Sequence, residues 1–198
     1  MLLHTKISDG GYNIILASQS PRRRDLMRDA GLVFRAVSYD VEEVYPADTP
    51  AEDVAQYLSQ LKSSAYPENL GDRDILITAD TVVLLNGKIL GKPHSQIEAI
   101  EMLSELSNSE HQVVTGVTIR STTSNVSFST TTKVKFANLT DEQIDYYVTQ
   151  YSPLDKAGSY GIQEWIGYIG IESIEGSFYN VMGLPIQRLY SELMNFID

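Results

Sequence analysis

The 198-residue chain contains no cysteine, which excludes disulfide bonds, thiolate zinc sites and a thiol nucleophile. It is also short of basic charge. Fifteen Lys and Arg stand against 26 Asp and Glu, a formal net charge of -11, which disfavours nucleic-acid binding unless the cations gather on one face. No apolar run approaches the roughly 20 residues that a membrane span needs, and Met1 to Gly11 lacks the charged-then-apolar order of a signal peptide. A cytoplasmic protein that touches neither nucleic acid nor membrane is expected. His4, His94 and His111 have no metal-ligand spacing, and there is no Gly-x-Ser-x-Gly elbow, phosphate-loop Gly-Lys-Ser/Thr or dinucleotide Gly-x-Gly-x-x-Gly. Low-complexity segments and internal repeats are likewise missing. What remains, with 42% apolar residues, is one domain spanning residues 1–198.

Hydrophobic periodicity predicts alternating strands and helices. Ile14 to Ala17 suits a buried strand leading into Ser18-Gln19-Ser20-Pro21, where Ser20 caps a helix with Pro21 at its first position, ending near Gly31. Thr49-Pro50-Ala51-Glu52 reads as a capping box opening a second helix, with Val54, Leu58, Leu61 and Ala65 on one face and Lys62 at its far end. Ile75 to Leu85 is β-forming, and Asn86-Gly87 turns it back through Lys88 to Leu90. Ser95 to Glu98 opens a helix that turns Ile97, Ile100, Leu103 and Leu106 to one side. A β-hairpin from Val113 to Phe136 follows, then a helix capped by Thr140 and Gln143. Asp155 to Gly183 reads as a Gly-rich β region, and a last helix follows Pro185. Hairpins mixed with strand–helix alternation imply an α/β fold with a mixed β-sheet and flanking helices.

Several residues sit where only chemistry or a specific partner explains them. Arg22-Arg23-Arg24 occupy the first turn of a helix, where the macrodipole disfavours each cation by about 0.3–1 kcal/mol. A phosphate held by Arg22, the hydroxyls of Ser18 and Ser20 and the free helix amides would resolve this. So would a solvated basic face paired with Asp25 and Asp29. Asp80 interrupts an apolar strand and is either a general base or metal ligand, with Thr81 beside it, or a strand-end carboxylate satisfied by solvent or backbone amides. Glu42-Glu43 offers a second carboxylate, or merely an acidic surface. Lys62, and Lys92 in Gly91-Lys92-Pro93, are candidate phosphate contacts. Gln163, at the end of Asp155-Lys156-Ala157-Gly158-Ser159-Tyr160-Gly161-Ile162-Gln163, carries an amide able to read a nucleobase edge, although a plain Gly-rich hairpin accounts for the segment nearly as well.

Taken in order, Ser18-Gln19-Ser20-Pro21-Arg22-Arg23, Ala79-Asp80-Thr81-Val82, Gly91-Lys92-Pro93, Asp155-Lys156-Ala157-Gly158, Tyr160-Gly161-Ile162-Gln163 and Gly176-Ser177-Phe178-Tyr179-Asn180-Val181-Met182-Gly183-Leu184-Pro185 resemble the Maf family of nucleotide pyrophosphatases. The resemblance runs from about Ile14 to the C-terminal helix. It implies an elongated mixed sheet with a cleft between two lobes, and hydrolysis of a nucleoside triphosphate between its α and β phosphates with Mg²⁺ or Mn²⁺. By the same resemblance Ser18, Ser20 and Arg22 hold phosphates, Lys62 and Lys92 add positive charge, and Asp80 is proton acceptor or metal ligand. Glu43, more than Glu42, matches the family's upstream acid and joins Asp80 as metal ligand. Arg22, Thr81 and Gln163 take part in substrate binding and specificity. Arg22 after the proline and Gln163 after Gly-Ile resemble the branch that takes dTTP and UTP, whereas the 7-methyl-GTP branch tends to a Glu at the Gln163 position. The sequence departs from the pattern at Glu164-Trp165, where relatives commonly carry a glycine. A homodimer is also suggested by relatives. Two other readings stand beside this one: a nucleotide-binding regulator of septum formation acting through a protein partner, and an inosine-triphosphate type of house-cleaning enzyme, whose motifs this chain lacks.

Overall fold

A computed structural model describes residues 2–197. In chain order the elements are α1 (Leu3–Gly10), β1 (Asn13–Ala17), α2 (Pro21–Asp29), β2 (Arg35–Val37), α3 (Val54–Ser64), β3 (Asp74–Leu85), β4 (Lys88–Leu90), α4 (Gln96–Leu106), β5 (Glu110–Arg120), β6 (Asn125–Phe136), α5 (Asp141–Tyr151), α6 (Trp165–Gly170), β7 (Ile171–Glu175), α7 (Phe178–Val181) and α8 (Ile186–Phe196). The strands form one seven-stranded sheet in the order β2-β1-β3-β5-β6-β7, with β4 paired to β3. β1 runs parallel to β2 and β3, while β4 is antiparallel to β3 and β7 to β6. This is the expected mixed α/β sheet.

Two compact units share these strands. The first comprises the chain up to Asp80, Thr115–Thr130 and the chain from Gly183; the second comprises Thr81–Val114 and Thr131–Met182. In the first unit β1 and the leading half of β3 are buried almost continuously, as strands covered on both faces must be. Thr78 and Asp80 share a face of β3, and the Thr78 hydroxyl donates to the Ser59 carbonyl of α3 at 2.7 Å. The helix lies close to β5 as well, because a Cβ on Gly116 would come within 2.4 Å of the Ala55–Gln56 backbone. A glycine therefore sets the depth at which α3 sits. Tyr190 of α8 accepts from the Leu3 amide at 2.9 Å, tying the C-terminal helix to α1.

In the second unit α4 and α5 cover a core of Val83, Leu103, Val134, Phe136, Ile144 and Tyr147. Asn86 and Gly87 both adopt positive φ, 52° and 79°, as the two-residue turn between β3 and β4 requires. Thr140 and Gln143 make the full reciprocal capping box. Local expectation fails at three places. The Thr49 box does not form, and α3 starts at Val54 behind a turn in which the Asp53 amide donates to the Pro50 carbonyl. Ile97 is exposed, because α4 turns Ala99, Met102, Leu103 and Leu106 inward instead. The stretch from Asp155 to Gly183 holds two short helices, α6 and α7, with β7 its one strand; Gly167 and Gly170 sit in α6, where a Cβ would collide with the Ile162 carbonyl and crowd Leu139 and the Phe136 ring respectively.

His111 is buried on β5, 2.7 Å from the Tyr160 hydroxyl and stacked on Phe136 at 5.5 Å. Burial pushes its pKa down to about 4. The unfolded chain binds this proton near pH 6.5, so folding stability should be intact above that pH and fall as pH drops towards 4, by up to about 3 kcal/mol. Urea titrations across this window should show the loss in the wild-type protein and a shallower one in His111→Gln.

Candidate functional site: a carboxylate pair bridged by a lysine

The candidate side chains of the first unit are carried on or beside β1, α3 and β3. β1 delivers Ser18, whose amide donates to the Val37 carbonyl at 3.0 Å, and the chain then enters α2 through Ser20. Ser20 caps that helix by accepting from the Arg23 amide at 3.5 Å, with Pro21 at the first helical position. Ser18 Oγ accepts from the Ser20 amide at 3.2 Å, folding the loop into a tight turn.

Arg23 organises the site, a role that sequence reasoning missed. Its Nε donates to the Gly183 carbonyl at 2.7 Å, and its Nη1 donates to the Ala79 carbonyl at 2.9 Å and reaches Ser18 Oγ at 3.4 Å. One guanidinium thus joins the capping loop, the residue before Asp80 and the chain before α8. Burial lowers its pKa and the nearby Asp80 opposes that shift. Arg24 Nη2 donates to the Gln19 carbonyl at 3.0 Å, and Arg28, not the arginine run, pairs with Asp25 at 2.8 Å. The alternative of a solvated Arg22–Arg24 face paired with Asp25 and Asp29 meets an Asp25 already paired with Arg28. Arg22 itself is half-buried.

Asp80 is buried at 7% exposure and forms an ion pair with Lys62 Nζ. The same ammonium lies 2.7 Å from Glu43 Oε1, so two carboxylates distant in sequence converge on one cation. Lys62 stands in the last turn of α3, where the macrodipole favours positive charge, and the Tyr39 hydroxyl satisfies the Lys62 carbonyl at 2.6 Å. Burial pushes Tyr39 up to about 12, keeping that donor protonated. The step of two residues from Thr78 to Asp80 along β3 matches the step of three from Ser59 to Lys62 along α3, so one helix face serves both polar contacts. Lys62, a candidate phosphate contact, is thus also the countercharge of the two candidate metal ligands.

Thr81, Lys92 and Gln163 belong to the second unit. Lys92 is exposed, and the Gly158 amide donates to the Gly91 carbonyl at 3.0 Å, drawing Gly91-Lys92-Pro93 to the Ala157–Ser159 turn. Gly158 has φ +66°, and a Cβ there would press on Val83 at 2.9 Å. Gln163 is half-buried, yet its Oε1 is sealed from solvent and receives no hydrogen bond. Such an acceptor costs about 1–3 kcal/mol until a donor arrives.

The fold is shared with the structure of the Staphylococcus aureus Ham1 protein, at a TM-score of 0.52 and 19% identity over 93% of this chain and 99% of that one. Fold and site together define a mixed α/β protein carrying a lysine-bridged carboxylate pair. The family model described as Maf-like protein matches residues 13–196, and the chain belongs to that family. It is 53% identical over 184 residues to a dTTP/UTP pyrophosphatase of Bacteroides thetaiotaomicron, covering 92% of this chain and 95% of the relative. A dTTP/UTP pyrophosphatase of Porphyromonas gingivalis is 52% identical over 188 residues, covering 93% and 94%. One of Flavobacterium johnsoniae is 42% identical over 186 residues, covering 94% and 96%.

Removing the bridge should expose its energetic role. Lys62→Met is expected to destabilise the fold by about 1–3 kcal/mol, because it leaves Asp80 buried without its cation. Adding Asp80→Asn should recover most of that loss, and urea denaturation of the two single variants and the double variant measures the coupling.

Proposed function

We propose that this chain hydrolyses dTTP and UTP to the nucleoside monophosphate and pyrophosphate. The observation that carries the reading is the meeting of Asp80, Lys62 and Glu43, joined through Arg23 to the Ser18–Ser20 turn at the start of α2. Sequence identity near 50% to relatives named for this activity supports it.

In the proposed reaction Ser18, Ser20 and Arg22, at the start of α2, bind phosphate oxygens. An ammonium has three N–H donors; two of Lys62's are directed at Glu43 and Asp80, and the third is assigned to a phosphate oxygen. Asp80 accepts the proton of a water whose oxygen bonds to phosphorus as the α–β bridging oxygen leaves, and pyrophosphate carries away the electron pair. Lys92 and Thr81 are assigned to phosphate binding, and Gln163 to the base. The buried, unpartnered Oε1 of Gln163 suits the ring N–H of uracil or thymine.

A divalent cation fits the same carboxylates. Glu43 and Asp80 already converge on one positive centre, and among the described residues no group of three or more acidic or histidine side chains gathers to hold a metal alone. Two carboxylates with the remaining positions filled by phosphate and water match Mg²⁺ or Mn²⁺. When bound, such an ion would neutralise charge developing on the phosphates. None of the described helices is long and apolar enough to cross a membrane. We place the activity with the nucleotide pools of the cytoplasm and carry over the family's homodimer.

Pyrophosphate release from dTTP, UTP, CTP, 7-methyl-GTP and ITP, with Mg²⁺, Mn²⁺ or chelator, tests the proposal. Release is expected from dTTP and UTP, with turnover lowered about 10²–10⁴-fold in Asp80→Asn while nucleotide affinity is partly retained. Nucleotide binding without release under every metal would overturn hydrolysis and favour a regulator acting through a protein partner.

A further inference from the structure

We propose that Tyr147 is a positioning residue for base selection, holding Gln163 through the Gly161 amide and the Glu164 carboxylate. The inference rests on the assignment of Gln163 to the base. Gly161 to Glu164 form a tight turn, closed by the Glu164 amide donating to the Gly161 carbonyl at 3.0 Å. The Tyr147 hydroxyl accepts from the Gly161 amide at 3.0 Å and donates to Glu164 Oε2. One phenol therefore grips both ends of the four-residue turn that carries Gln163.

The grip is rigid for three reasons. Tyr147 is completely buried in α5, and its ring stacks on Tyr151 with centroids 5.0 Å apart. The other Glu164 oxygen, Oε1, lies 3.2 Å from Lys156 Nζ, and that ammonium is held in turn by Asp155 at 2.7 Å. The inside of the turn is full: a Cβ on Gly161 would lie 2.8 Å from Glu164 Cδ and 3.0 Å from Gln163 Nε2. Burial and the adjacent carboxylate hold the phenol's pKa above its ordinary value, so its proton stays on the oxygen and points at Glu164.

Discrimination by one hydrogen bond demands that fixity. Uracil and thymine present a ring N–H to an acceptor, whereas cytosine presents a bare ring nitrogen, leaving two acceptors face to face. A Gln163 amide free to swing would relieve that clash and accept both bases. Glu164 thus supplies a handle by which α5 restrains the reading residue.

The test compares kcat and KM for UTP and CTP in the wild-type protein, Tyr147→Phe and Glu164→Ala, with amide hydrogen exchange at Gly161 as an independent readout. Tyr147→Phe keeps the ring and removes the oxygen. It should narrow the UTP-over-CTP ratio of kcat/KM about 10-fold, mainly through KM, leave kcat for UTP within about 3-fold, and accelerate exchange at Gly161. Glu164→Ala, which removes a partly exposed side chain, should narrow the ratio in the same direction and decides the matter if Tyr147→Phe fails to fold. A wild-type protein that prefers UTP, with that preference unchanged in Glu164→Ala and in a folded Tyr147→Phe, overturns this inference alone. A wild-type protein releasing no pyrophosphate from any nucleotide overturns the proposed activity, and the inference with it.

Discussion

The ammonium of Lys62, suspended between Asp80 and Glu43, is the interaction around which the first unit is arranged. A carboxylate buried in a strand is tolerable only with a cation at hand, and the cation must come from an element at fixed depth. Gly116 sets that depth by letting the backbone of α3 press on β5, and Thr78 fixes the helix lengthwise through Ser59. Arg23 completes the arrangement from the other side by binding the Ala79 carbonyl, so that both the charge and the backbone at Asp80 are held.

The second unit solves a different problem with similar means. Its polar residues do not form an open charge cluster; they are threaded through a turn and locked to a helix by a single phenol. The Gly-rich segment becomes a firm platform because three of its glycines face neighbours that fill their space: Val83 at Gly158, Glu164 at Gly161 and the Ile162 carbonyl at Gly167. Small side chains serve close approach here rather than mobility.

This explains what could be read from sequence and what could not. The sheet class, the Ser20–Pro21 helix start, the Asn86-Gly87 turn and the Thr140 capping box depend on neighbours in the chain, and local chemistry specified them. Asp80 stood out because a carboxylate in an apolar strand contradicts its surroundings. Its pairing with Lys62 and Glu43 was hidden, since it depends on the register of α3 against β3. Arg23 was masked by Arg22 and Arg24; successive helical residues point about 100° apart, and only the packed fold reveals which of them meets the carbonyls. A buried tyrosine needs a partner for its hydroxyl, which is a signal at Tyr147, but helical spacing does not distinguish such a residue from packing. The Asp155 to Gly183 stretch misled for the opposite reason: glycines that read as strand and turn punctuation were demanded by tertiary crowding in and around α6.

The link from Arg23 to the Gly183 carbonyl spans 160 positions of sequence, and the bond from Leu3 to Tyr190 spans 187. Consequently the first unit cannot mature in the order in which it is translated. A nascent chain that has emerged only as far as β3 already carries Ser18, Arg23, Glu43, Lys62 and Asp80, but Arg23 lacks one of its two carbonyl anchors and α1 lacks its cover. Assembly waits on contacts of long sequence separation, which slows folding. An unfinished chain therefore holds these side chains without the contact that joins Arg23 to the chain before α8, and that contact forms only once synthesis has passed Gly183.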